Sequence, residues 1–136
     1  MSGSNKEIAE RYEIAFAAED VDTMAEVCDP DVVDHNADAD QKPGFAGFKE
    51  NFVAGIGTFT DLQLDLQHVI GEGDLVATHW TISGTQQKEF FGIPATGRRV
   101  TAGGMNVYRL AGGRITDMWT QWDALGLKTQ LEAPDS

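Results

Sequence analysis

The chain has 136 residues, enough for one domain around a single core and too few to divide into two. Its 22 Asp and Glu against 10 Lys and Arg leave a formal charge of −12, which repels nucleic-acid phosphates and anionic lipid surfaces and argues against both as partners.

From the N-terminus, Ser4-Asn5-Lys6-Glu7 fits a capping box, and Ile8, Tyr12, Ala15 and Phe16 follow at helical spacing. The pattern predicts a first helix to about Ala18 with Tyr12 on its apolar face. Asp20 and Asp22 can cap a short second helix through Met24 and Val27, which must stop before Pro30 because the residue ahead of a proline is disfavoured in helical geometry. Asp31 to His35 reads as a short strand. The loop Asn36 to Gly47, rich in Asp, Ala, Gly and Pro, leads into a third helix marked by Phe48, Phe52 and Ile56, and loops of this length often border a site.

After Asp61 the period changes to two. Leu62, Leu64, Leu66, His68 and Ile70 alternate with Gln63, Asp65 and Gln67, and Gly71-Glu72-Gly73-Asp74 turns the chain into Leu75–Ser83, as in an antiparallel hairpin. Lys88–Phe91, Arg99–Leu110 and Ile115–Asp123 follow as strands between Gly- and Pro-bearing turns, and Leu125, Leu127 and Leu131 predict a short closing helix. Helices first and a meander after give an α+β fold: three N-terminal helices packed on a curved antiparallel sheet, one domain over residues 1–136 with its ordered core at residues 5–131. Gly103-Gly104 inside a long strand marks a bend, a bulge or a close approach. A sheet with apolar residues on both sides also leaves a face that a second copy would cover.

Cys28, the single cysteine, cannot form an internal disulfide, and among Val21, Met24 and Val27 it reads as a small core residue in a reducing compartment. Met1–Ser4 shows no leader pattern and no apolar run reaches membrane-spanning length, so the expectation is a soluble cytoplasmic protein.

Candidate chemistry concentrates in the last strand and in Asp34-His35. Alternation places Ile115, Asp117, Trp119, Gln121 and Asp123 on one side, with Met118, Thr120 and Trp122 on the other. With Trp119 facing a cavity, Gln121 and Asp123 face it too, provided no bulge intervenes. An aspartate beside two tryptophans at the end of an interior strand would be partly desolvated and so a stronger base toward a carbon acid. Asp123 equally stands where a helix beginning near Ala124 needs its N-cap. Asp34 and His35, adjacent in a strand, point to opposite faces; the expectation puts His35 inward, where it can polarise a carbonyl or serve only as a satisfied structural donor. Of His79 and Trp80 the pattern does not say which faces inward, and His68 is assigned to the surface or an interface. Three scattered histidines and one cysteine give no metal-ligand spacing, and Gly71-Glu72-Gly73 and Gly112-Gly113 are hairpin turns rather than phosphate loops.

Three pieces, Gly84-Thr85 with Phe91-Gly92-Ile93-Pro94-Ala95-Thr96-Gly97-Arg98, then Gly112-Gly113-Arg114-Ile115, then Trp119 with Asp123 ahead of Gln130-Leu131, together resemble the SnoaL-like polyketide cyclase family. Asp34-His35 extends the resemblance over Glu7–Leu131. The chain departs from the family's frequent pattern at Gln86, where a histidine is usual, and at Glu132, where a glycine is usual. The resemblance implies a cone-shaped fold shared with nuclear transport factor 2, an interior cavity, a homodimer, and cofactor-independent aldol-type ring closure of a hydrophobic, carbonyl-rich small molecule. It assigns the acid/base role to Asp123. In that picture His35, helped by Asn106 or Tyr12, holds the enolate oxygen, Phe48, Phe52, Trp119 and Trp122 form walls, and Gln121 shares the cavity side with Trp119.

The N-terminal half is also similar to ketosteroid isomerase, whose Arg-Tyr pair matches Arg11-Tyr12; that family's base falls at about His35 and its oxyanion-hole acid near Asn106. A histidine in place of the base argues against plain isomerase activity. An epoxide hydrolase on the same fold needs an Arg-x-Asp pair, which the sequence lacks. A non-catalytic ligand cup is the remaining alternative, favoured if Asp123 is exposed or engaged as a cap and no other carboxylate lines the cavity.

Overall fold

The structure is a computed structural model that describes residues 4–133; Met1–Gly3, read above for a leader pattern, and residues 134–136 lie outside them. Helix α1 (Asn5–Ala17) starts at Ser4, whose hydroxyl accepts from the Glu7 N–H at 3.2 Å, as the capping box requires. It buries Ile8, Ala9, Tyr12, Glu13 and Ala15, one stripe at helical spacing with a carboxylate inside it. Helix α2 (Val21–Val27) is capped by Asp20, which takes both the N–H and the hydroxyl of Thr23. These bonds hold the Asp20 carboxyl below its ordinary value. Strand β1 (Cys28–Asp34) follows at once and carries Pro30 without loss because it lies at the sheet edge.

Helix α3 (Gly44–Gly55) begins three residues before the predicted end of its loop. Gly47 lies so close to the loop that a Cβ there would meet the Lys42 carbonyl oxygen at 1.7 Å. The long strands β2 (Phe59–Glu72), β3 (Leu75–Gln86), β4 (Arg99–Ala111) and β5 (Arg114–Trp122) form an antiparallel meander, and α4 (Ala124–Glu132) closes the chain. The sheet order is β1-β5-β4-β3-β2. The sheet is mixed rather than wholly antiparallel, since β1 runs parallel to β5; alternation reports faces, not the direction in which distant strands pair. The fold is the expected α+β cone, with helices on one face of a five-stranded sheet. No described helix is long and apolar enough to cross a membrane.

Two departures bear on the site. Lys88–Phe91 is not a strand: only Phe90 and Ile93 pair, across a turn in which Phe91 and Gly92 both take positive φ, 52° and 74°. The loop is instead tied down by Gln86, fully buried, whose amide donates to the Lys88 and Ile93 carbonyls and accepts from the Thr96 N–H and hydroxyl. The second departure is register. An extra residue in β2 at Gln67 and another in β5 at Thr116 shift the pairing by one. Gly103-Gly104 marks a close approach: a Cβ on Gly104 would lie 2.6 Å from the Trp80 ring.

Candidate active site

Between the helices and the inner face of the sheet lies a cavity of about 470 Å³. Its wall on the helix side is aromatic: Phe16 and Phe52 meet at 5.1 Å between ring centroids, Phe48 stacks on Phe52 at 5.8 Å, and Tyr12 stands edge-on to Tyr108 at 5.5 Å. Leu62, Leu64 and Ile82 supply the sheet side, with Trp80 and Trp122. Such a chamber removes apolar surface of a ligand from water and leaves a few polar groups to orient it.

Two groups of polar side chains stand out, with Glu19 and Ser83 also on the lining. At the inner end, Glu13 is 4% exposed and its Oε1 accepts from the Thr78 hydroxyl (2.6 Å), the Tyr108 hydroxyl (2.7 Å) and the Asn106 amide (2.9 Å). The same Asn106 amide donates to the Tyr108 oxygen at 2.7 Å. At the wall between β1 and α3, Asp34 accepts from the Asn36 N–H at 3.1 Å and from the Gln41 amide at 3.4 Å, and Asn51 holds Gln41 in turn. Tyr12 lines the same cavity as both carboxylates. Among the described residues its hydroxyl finds only the Met118 sulfur, 3.8 Å away, a weak acceptor. Burial, with the charges of Cys28, Glu13 and Asp34 adding to it, pushes the Tyr12 phenol well above its ordinary value, so it stays a neutral donor. Tyr108 is raised likewise, by burial first and then by Glu13.

This geometry meets the comparisons with known proteins at the family level. The family model for SnoaL-like polyketide cyclases matches residues 6–131. The chain belongs to the SnoaL-like polyketide cyclase family. Among solved structures, TsrD from Streptomyces laurentii is 28% identical, with a TM-score of 0.84 and 94% of each chain covered. IdmH from Streptomyces antibioticus, named as a candidate polyketide cyclase, is 30% identical with a TM-score of 0.83, over 96% of this chain and 100% of its own. AclR from Streptomyces galilaeus, named as a candidate hydroxylase, is 26% identical with a TM-score of 0.81, over 96% and 87%. No curated protein is significantly similar.

In this SnoaL-like protein the residues singled out from the sequence separate into two groups. Tyr12, Phe52 and Asn106 line the cavity, with Phe48 and Trp122. His35, Trp119, Gln121 and Asp123 do not line it. The bulge at Thr116 explains the strand: Ile115 and Met118 both point to the core, so Met118, Thr120 and Trp122 face inward and Asp117, Trp119 and Gln121 outward. On the outer face His35 stacks on Trp119 (4.3 Å, 4°) and pairs with Asp117 at 2.9 Å, while the Arg109 guanidinium lies 5.6 Å from the Trp119 ring. His35 therefore points away from the cavity and Asp34 into it, the reverse of the expectation. Asp123 is exposed and caps α4, its carboxylate accepting from the Gly126 N–H at 2.8 Å. Trp80 faces inward, and His79 outward against His68, with ring nitrogens 3.1 Å apart.

Sequence reasoning missed Glu13 and passed over Asp34. The signal for Glu13 was present: a carboxylate inside the Ile8, Ala9, Tyr12, Ala15 stripe, where a charge has no place without a polar partner.

Proposed function

We propose that this SnoaL-like protein closes a ring in a hydrophobic, polyketide-like carbonyl compound by an intramolecular aldol-type step, using its own side chains as acid and base. The observation that supports the reading is a carboxylate, Asp34, on the wall of an apolar chamber beside an underused phenol, Tyr12. Asp34 takes a proton from a carbon flanked by two carbonyls. The Tyr12 hydroxyl donates to the enolate oxygen, the enolate carbon attacks the distant carbonyl carbon, and the alkoxide so formed takes the proton back from Asp34. The Phe16, Phe48 and Phe52 wall folds the substrate so that the reacting carbons meet and keeps water from the enolate. In this reading the base is Asp34 and not Asp123, whose carboxylate is engaged at the start of α4.

The test needs no knowledge of the natural substrate. With 1-phenyl-1,3-butanedione as probe, the protein speeds exchange of the central C–H for deuterium, followed by NMR, and Asp34→Asn abolishes the acceleration. Exchange at the buffer rate with the unaltered protein, despite measurable binding of the diketone, would replace the enzyme by a ligand cup.

The reading includes a homodimer. The outer face presents Ile70 (64% exposed), Met105 (58%) and Val107 (37%) near the Trp119 stack, and Ile70, Ala77, Val107 and Trp119 stand side by side in one apolar row across β2, β3, β4 and β5. Two copies meeting there would bury it, and light scattering at micromolar concentration should then give twice the 14.8 kDa chain mass. A monomer at that concentration removes the dimer and leaves the chemistry untouched.

A further inference from the structure

We propose that Glu13 anchors a hydroxyl group of the substrate, an enol or a phenol, at the inner end of the cavity. The proposal rests on the reading of the cavity as the site of a carbonyl-rich small molecule and adds to it what that molecule must carry. Glu13 lies on the buried stripe of α1, and a carboxylate there is tolerated only if its oxygens are bonded. Thr78, Tyr108 and Asn106 all bond the same oxygen, Oε1; among the described residues Oε2 accepts no hydrogen bond. The Asn106 NH2 is committed to Glu13 and Tyr108, which fixes the orientation of the amide, and its Oδ1 is buried without a partner. Asn106 is 7% exposed and lines the cavity.

The inner end thus holds an unused acceptor, Glu13 Oε2, and the hydroxyl protons nearby, on Thr78 and Tyr108, already point at Glu13 Oε1. The complementary ligand group is a donor. A hydroxyl gives its one proton to Oε2; an ammonium brings three and leaves at least one unpaired in a wall otherwise made of carbon.

The experiment compares 1-naphthol with 1-methoxynaphthalene, which keeps the acceptor oxygen and loses the donor, by calorimetry at neutral pH. The unaltered protein should bind the naphthol about tenfold or more tightly, the scale of a hydrogen bond to a charged group. In Glu13→Gln the network still requires an oxygen at Oε1, so the amide NH2 faces the cavity and the preference should collapse to about threefold or less. Equal binding of the two probes by the unaltered protein overturns the proposal even if Glu13→Gln fails to fold. So does 1-naphthylmethylamine binding more tightly than the naphthol. Neither result depends on turnover: the naphthol preference together with failure of diketone exchange would retain Glu13 as an anchor and remove Asp34 as a base.

Discussion

On the inner face of the sheet the polar groups are few and bonded to their neighbours: Glu13, buried, with Thr78, Asn106 and Tyr108, and Asp34, half-buried, with its loop. On the outer face they are exposed or half-exposed and paired with one another, His35 with Asp117, His68 with His79, Ser83 with Thr101. The same residue types appear on both sides, but a carboxylate in a water-poor chamber can act on a ligand, whereas one on a solvated sheet is screened and mainly positions its neighbour. The difference between the faces, rather than the presence of aspartate or histidine, locates the chemistry.

The strongest test of that division sets two aspartates against each other. Asp34→Asn keeps shape and removes the base, so deuterium exchange into the diketone should fall by roughly 10²–10⁴-fold, the range of general acid–base catalysis, with folding intact by circular dichroism. Asp123→Asn, on the solvent side, should keep at least about half the rate. The reverse result would return the acid/base role to Asp123. Next in size is Tyr12→Phe, which removes the donor aimed at the enolate while keeping the ring that packs on Tyr108. It should lower the rate about a hundredfold, as loss of one oxyanion donor does, and leave binding of the diketone within about threefold. A drop in affinity with unchanged rate would make Tyr12 only a wall.

Asp123→Ala reads the outer side in stability instead of rate. The Asp123 side chain satisfies the Gly126 N–H and packs tightly enough on Gly126 that a Cβ there would lie 2.2 Å from its Oδ2. Losing the cap should cost about 1 kcal/mol in urea unfolding, with exchange activity retained.

These faces were only partly legible in the sequence. Periodicity gave the helices, the hairpin from β2 to β3 and the closing α4, because hydrophobic spacing at 3.6 and 2 reports directly which side of an element is buried. It failed where one residue is added. The bulge at Thr116 leaves Ile115 inward yet puts Trp119 and Gln121 on the outer face, and the bulge at Gln67 sends His68 and Ile70 outward while Val69 packs on the core. An extra residue in a strand is fixed by its partner's register, which no single strand records. For Asp34-His35 the opposition of faces was readable and the choice between them was not, since it depends on Trp119 offering His35 a stacking surface outside. The place of Cys28 in the core was readable: it is buried, and burial pushes its thiol up to about 12, which keeps it protonated.

The smallest effect expected lies in the His35–Asp117 pair, and it separates a positioning role on the outer face from a catalytic one. The bond from His35, followed by that from Thr116, holds the Asp117 carboxyl below its ordinary value of 3.8. A carboxylate with a lowered folded value stabilises the fold above its unfolded value and loses that contribution as the pH drops through the lower, folded one. His35→Ala should therefore be slightly less stable than the unaltered protein near neutral pH, by well under 1 kcal/mol for so exposed a pair. The gap should close as urea unfolding is repeated below pH 3.8, where Asp117 takes up its proton. Diketone exchange should not change. If His35→Ala instead abolished exchange while the stability gap stayed constant with pH, His35 would belong to the chemistry, and the division between the two faces of the sheet would fail at the residue where it is most exposed to test.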